Sequence, residues 1–171
     1  MTKSIALSGR TGSGKTLIAE YLASNYGYQH RLTGSVCRDV CQLLYESEAK
    51  TLLNKVTDAL KAVDEDIWIR AALRSTTPDT LLVLDSIRFD NDYRYVKSKD
   101  FSIWRVDAPL DIRVHRLQDR NQEYNPEVDE YHRGETELEH YTFDYRIDNG
   151  DIDIPTLYRI VDETVSLMRS E

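Results

Sequence analysis

Gly9-Arg10-Thr11-Gly12-Ser13-Gly14-Lys15-Thr16 is the stretch from which the rest of the chain can be read. It satisfies the pattern G-x-x-x-x-G-K-[ST] at each fixed position. It also stands where that pattern must stand, after the apolar run Ser4-Ile5-Ala6-Leu7-Ser8 and before helical apolar spacing at Leu17, Ile18, Tyr21 and Leu22. Strand, glycine-rich turn and helix in that order make an anion cradle. The glycines let successive backbone N–H groups converge on a phosphate, and the helix adds the positive end of its dipole. Lys15 is then expected to reach the β- and γ-phosphates of ATP, with the Thr16 hydroxyl on Mg²⁺ as cofactor. The expected ATP contacts are Gly9, Arg10, Thr11, Gly12, Ser13, Gly14, Lys15 and Thr16.

Working outward, the first helix is expected to stop near Asn25 to Gly27, with Gly27 as a left-handed cap. Tyr28 to Arg31 reads as a weak strand. From Gly34 to Arg74 the pattern is helical. Val36, Val40, Leu43 and Leu44 mark one face, Leu52, Leu53, Val56, Leu60 and Val63 a second, and a short helix covers Asp66 to Arg74. Thr76-Thr77-Pro78-Asp79 reads as a loop, and Leu81 to Leu84 as a buried strand ending in Asp85. Phe101 to Val106 and Phe143 to Ile147 read as further strands, with a helix from Leu110 between them. Asp153-Ile154-Pro155 opens a last helix that buries Leu157, Ile160, Val161, Thr164, Val165 and Met168. Short apolar strands alternating with helices predict an α/β three-layer sandwich, a parallel five-stranded sheet covered on both faces.

The 171 residues suit one domain, 1–171, and 40% hydrophobic with 30% charged residues is an ordinary globular balance. A net charge of −8 argues against a nucleic-acid polymer as partner. Apolar runs of four or five residues are too short to cross a bilayer, so no membrane partner is expected and the cytoplasm is the default location. Cys37 and Cys41 are expected to be two reduced thiols, since no second pair and no suitably spaced histidine accompanies them. A homodimer is compatible with these features.

Transfer of a phosphoryl group between two anions needs positive charge on both. Asp85, at a strand end, is expected to contact Mg²⁺ through the ion's bound water and faces the acceptor side, with Arg88 three residues beyond. Arg70 and Arg74, one helical turn apart, and Arg38 are the other candidates for the acceptor, in helices spanning about 34–74. Arg113, Arg116 and Arg120 form a basic stripe. Arg113 is expected to be a solvated surface residue. Arg116 and Arg120 run into residues 121–141, where seven acidic side chains predict an exposed, solvated segment. That layout suits a lid over about 116–141 that brings arginines, Arg133 among the candidates, onto the phosphoryl group. His132 and His140 are not needed as bases, because an acceptor phosphate is already ionised. The guanine-reading N-K-x-D of GTPases is absent.

The cradle, Asp66-Ile67-Trp68-Ile69-Arg70-Ala71-Ala72-Leu73, Leu84-Asp85-Ser86-Ile87-Arg88-Phe89-Asp90-Asn91, Arg105-Val106-Asp107-Ala108-Pro109, Glu135-Thr136-Glu137-Leu138-Glu139 and Phe143-Asp144-Tyr145-Arg146-Ile147-Asp148-Asn149 together resemble the phage-type deoxynucleoside monophosphate kinases. Leu84 to Asn149 is also similar to animal-type phosphomevalonate kinase, and dephospho-coenzyme A kinase is a more distant relative. The resemblance implies a P-loop kinase fold and transfer from ATP·Mg²⁺ to a (deoxy)nucleoside monophosphate. It implies Arg70 and Arg88 on the acceptor phosphate, lid arginines as clamps, Asn149 near the adenine, and a host cytoplasm if the chain is phage-encoded. Family members often carry Asp at Thr16 and proline at Asp90. The competing readings are a kinase for phosphomevalonate or dephospho-coenzyme A, or a nucleotide-binding regulatory ATPase with no small acceptor. A shikimate kinase would want three glycines where this chain has Asp85-Ser86-Ile87-Arg88.

Overall fold

Ile5–Ser8 (β1) is buried along its whole length, which an apolar tetrapeptide achieves only at the centre of a sheet. The computed structural model describes residues 2–77 and 79–170. Met1, Glu171 and Pro78 of the expected 76–79 loop lie outside the described residues. β1 pairs on one side with Leu82–Asp85 (β3) and on the other with Ser102–Asp107 (β4). Gln29–Leu32 (β2) flanks β3, and Tyr145–Asp148 (β5) flanks β4. All four pairings are parallel, in the order β2-β3-β1-β4-β5.

Alternation along the strands sorts the core into two layers. Ile5, Leu7, Val83, Trp104, Val106 and Ile147 face helices Lys15–Tyr26 (α1) and Ile154–Ser170 (α9), which supply Ile18, Leu22, Leu157, Val161 and Val165. Ala6, Leu84 and Ile103 face the other way, onto Ile69 of Ile67–Ala72 (α4) and Tyr93 and Val96 of Asp90–Ser98 (α5). The sheet is therefore covered on both faces, as the strand–helix alternation requires. A third cluster, of Cys37, Cys41, Trp68, Leu53 and Val56, joins Ser35–Tyr45 (α2) and Lys50–Val63 (α3) to α4. No helix among the described residues is long and apolar enough to cross a membrane.

The differences from expectation are local. Helix α4 is shorter than Asp66 to Arg74, and β5 begins at Tyr145 rather than Phe143. Helix α5 was not foreseen, because two buried apolar side chains among charged neighbours make a weak periodic signal. Leu43 and Val63, assigned to buried faces, are each 82% exposed, and Leu44 is exposed as well. The inner face of α2 is set instead by Cys37 and Cys41, whose thiols pack among α3 and Trp68. Helices Leu110–Asp119 (α6), Pro126–Asp129 (α7) and Arg133–Thr136 (α8) complete the chain.

Candidate active site

The octapeptide joins the carboxyl end of β1 to the start of α1. Gly9, Gly12 and Gly14 all have positive φ, and a Cβ on Gly14 would overlap the Nδ2 of Asn149. Asn149 donates from that Nδ2 to Ser13 O at 2.8 Å, so the loop after β5 braces the cradle. Lys15 is buried, and its Nζ donates to Gly9 O and Arg10 O at 2.8 and 2.9 Å. Burial, then the nearby Arg88 charge, pulls the Lys15 amine down to about 8. The Thr16 hydroxyl donates to Asp85 Oδ2 at 2.6 Å, and Ser86 donates to Asp85 Oδ1 at 2.9 Å. Burial alone would raise the Asp85 carboxyl, but His30, Lys15, Thr16 and Ser86 outweigh it and bring it to about 2. Two hard oxygen donors side by side at the mouth of an amide-lined cradle fit a magnesium-bound triphosphate.

Two cavities meet over this loop. The smaller, about 250 Å³, is bounded by Gly12, Gly14, Lys15, Thr16, Asp85, Ser86, Arg88 and Arg120. The larger, about 470 Å³, runs between α2, α3 and α4 and is bounded by Cys37, Lys50, Leu53, Trp68, Phe89 and Asp92. Thr11, Gly34, Arg38, Ser86, Arg88, Leu117 and Gln122 border both, so Arg38 and Arg88 stand where the cavities adjoin.

The other arginines are distributed differently. Arg70 is exposed and paired with Asp64, Arg74 is exposed, and neither borders either of these two cavities. Arg116 donates to Asn149 O and Gly150 O at 3.0 and 3.1 Å, and so holds the loop after β5. Arg133 pairs with Glu137 and lies 5.4 Å from the Phe89 ring. Arg113 corrects the expectation of a solvated side chain. It is 4% exposed, donating to Glu130 Oε1 at 2.6 Å and to Ala108 O at 3.1 Å.

Residues 121–141 are the larger correction. They are not a solvated segment throughout, because Asp129, Glu130 and Glu135 are buried against cations contributed by distant parts of the chain. Arg10 pairs with both Glu130 and Glu139. Lys50 Nζ lies 2.5 Å from Asp129 Oδ1 and 3.3 Å from Glu135 Oε1. Glu135 also pairs with Arg88, and accepts from Thr11 N and Thr11 Oγ1, each at 2.8 Å. Burial opposes its ionisation, yet Arg88, Lys50, Lys15 and Thr11 bring its carboxyl down to about 2. Lys50 and Glu130 were not singled out from sequence, and Glu135 stands there only in a resembling stretch with no role, since acidic spacing in this segment follows no period and the partner cations lie far along the chain.

The parallel 2-3-1-4-5 sheet, with a phosphate-type cradle at the end of its central strand, defines a P-loop kinase fold. The chain belongs to the AAA domain family, whose model matches residues 5–137. A cytidylate kinase from Natronomonas pharaonis is 29% identical, over 86% of this chain and 74% of that protein. A cytidylate kinase from Methanopyrus kandleri is 28% identical, over 97% of this chain and 91% of that protein. The solved structure of a deoxyadenosine kinase from M. mycoides with bound dCTP aligns with a TM-score of 0.60 at 14% identity, covering 95% of this chain and 98% of that one.

Proposed function

We propose that this chain is an ATP-dependent nucleoside monophosphate kinase, with the triphosphate in the smaller cavity and the acceptor in the larger. The observation that carries this reading is the junction itself. A phosphate cradle and a half-apolar cavity share Arg88 and Arg38, so two anions can meet across a pair of cations. A pure ATPase or switch has no use for the second cavity. The walls formed by Cys37, Leu53, Trp68 and Phe89 suit a nucleobase, with the acceptor phosphate toward Arg88.

Lys15 leaves its two carbonyl partners for the β- and γ-phosphates, and its charge stabilises the transferring group. Thr16 and Asp85 would hold Mg²⁺, which shields the phosphate charges when bound. Arg88 and Arg38 orient the acceptor phosphate in line with the γ-phosphorus. An acceptor oxygen forms the new P–O bond as the bond to ADP breaks; no proton needs to leave, so no general base is required. Residues 116–141 act as the lid, and helices α2 to α4 choose the acceptor. Arg120 is the lid arginine that borders the smaller cavity, and so the one placed to act on the phosphates. Asn149 and Arg116 hold the loop that would border the adenine.

Release of ADP from ATP·Mg²⁺, measured against nucleoside monophosphates, phosphomevalonate and dephospho-coenzyme A, tests this reading. CMP and dCMP head the panel because of the relatives' names, and the deoxynucleotides follow from the motif resemblance. Strong stimulation by at least one nucleoside monophosphate is expected. Stimulation by a non-nucleotide alone, or by nothing, overturns it.

The Lys15 amine also sets a pH dependence. ATP binds the ammonium form, so the free protein must take up a proton above about pH 8. ATP affinity is therefore expected to fall about tenfold between pH 7 and pH 9. In Lys15→Ala the affinity should be weaker and its slope over this range lost; calorimetry at the two pH values reads both.

A further inference from the structure

We infer that Glu135 is a positioning residue for phosphoryl transfer, fixing Arg88 and Lys50 against the cradle residue Thr11. The inference rests on the kinase reading above. Glu135 Oε1 and Oε2 accept from groups on three separate elements: Thr11 N and Oγ1 in the cradle, Lys50 on α3, and Arg88 after β3. The Glu135 side chain is fully buried and borders neither cavity, whereas Thr11 and Arg88 border both and Lys50 the larger. The carboxylate thus stands behind the cations rather than in front of them.

The donor count points the same way. Lys50 Nζ uses its three N–H groups on Thr11 Oγ1, Asp129 and Glu135. Arg88 uses Nη1 on Glu135 and Gly134 O, and its Nε and Nη2 have no hydrogen-bond partner among the described residues. Glu135 therefore grips one end of the guanidinium and leaves the other for an incoming anion. Thr11 carries the same carboxylate to the loop that holds the donor, so one buried anion fixes the spacing of both phosphate sites. A shift of about 1 Å in such spacing costs on the order of a hundredfold in rate.

A residue acting through Arg88 makes a specific kinetic prediction. Glu135→Gln should lower kcat about thirtyfold and raise the acceptor KM about tenfold, with the ATP Kd within threefold of the parent. Glu135→Asp, still an anion, should recover part of the loss. In an Arg88→Ala background, Glu135→Gln should cost less than about threefold more, because the cation through which it acts on the acceptor is already gone. A merely structural glutamate would multiply its full loss onto Arg88→Ala, and that result overturns the inference. So does a rise in kcat/KM in Glu135→Gln, which would mark the carboxylate as a competitor of phosphate. Calorimetric binding of inorganic phosphate to the ADP·Mg²⁺-loaded protein gives a readout that needs no acceptor. It should weaken about tenfold in Glu135→Gln, and the double variant should bind phosphate no more weakly than Arg88→Ala alone. Unchanged phosphate binding overturns the Glu135 role even where the panel supports the kinase. A parent with no active nucleotide acceptor overturns the kinase reading while this binding cycle still decides the role of Glu135.

Discussion

Lys15→Ala is expected to lose about a thousandfold or more in turnover with every acceptor while the chain stays folded. The size follows from what the side chain faces. Its ammonium is the one lysine charge bordering the smaller cavity among the described residues, and the charge it would neutralise grows as the bond to ADP lengthens. An interaction strengthened in the transition state is lost from kcat as well as from kcat/KM. The fold is spared because two effects oppose each other. Alanine removes hydrogen bonds to Gly9 O and Arg10 O, each contributing about 1 kcal/mol. It also removes a buried charge that the protein already disfavours, as the fall of the amine to about 8 records. A melting temperature within a few degrees of the parent, together with lost ADP release, is the expected pair of results. Retained turnover would remove the cradle from the mechanism.

The parts of this molecule that could be read from sequence are those whose cause is local. The octapeptide dictates its own geometry, because Gly9, Gly12 and Gly14 are needed where φ is positive. The strands at Ile5, Leu82 and Ser102 are short apolar runs that only a doubly covered sheet can bury. Asp85 and Arg88 follow from their place at a strand end, and both border the smaller cavity. Residues 121–141 failed for the opposite reason. A carboxylate is solvated by default, and what buries Glu135 is a set of cations at positions 50 and 88, with a cradle amide at position 11. No window of sequence holds those groups together. Arg113 is the same case in reverse, since its burial depends on Glu130 from beyond its own helix. Arg70 shows the limit of a motif: its helix is present, but the side chain pairs outward with Asp64.

Arg88→Ala is expected to raise the acceptor KM about a hundredfold and lower kcat, with the ATP Kd changed less than about threefold. Arg88 borders both cavities, yet its contact to Gly134 O and its pairing with Glu135 tie it to residues 121–141, whereas Lys15 is held by the Gly9 and Arg10 carbonyls of the cradle. The alanine variant also strips Glu135 of one cation, leaving Lys50 and Thr11 to hold a buried carboxylate, so a stability loss of about 2 kcal/mol should accompany it. Arg88→Lys separates the two effects. It keeps a charge near Glu135 but not the planar fork, so stability should return toward the parent while acceptor KM stays well above it. There is a further consequence at the donor. The Arg88 charge is one cause of the lowered Lys15 amine, so its removal should shift that titration upward and flatten the fall of ATP affinity between pH 7 and pH 9. A variant that instead loses ATP affinity at pH 7 and keeps its acceptor KM would move Arg88 from the acceptor to the donor, and the shared wall of the two cavities would then belong to ATP alone.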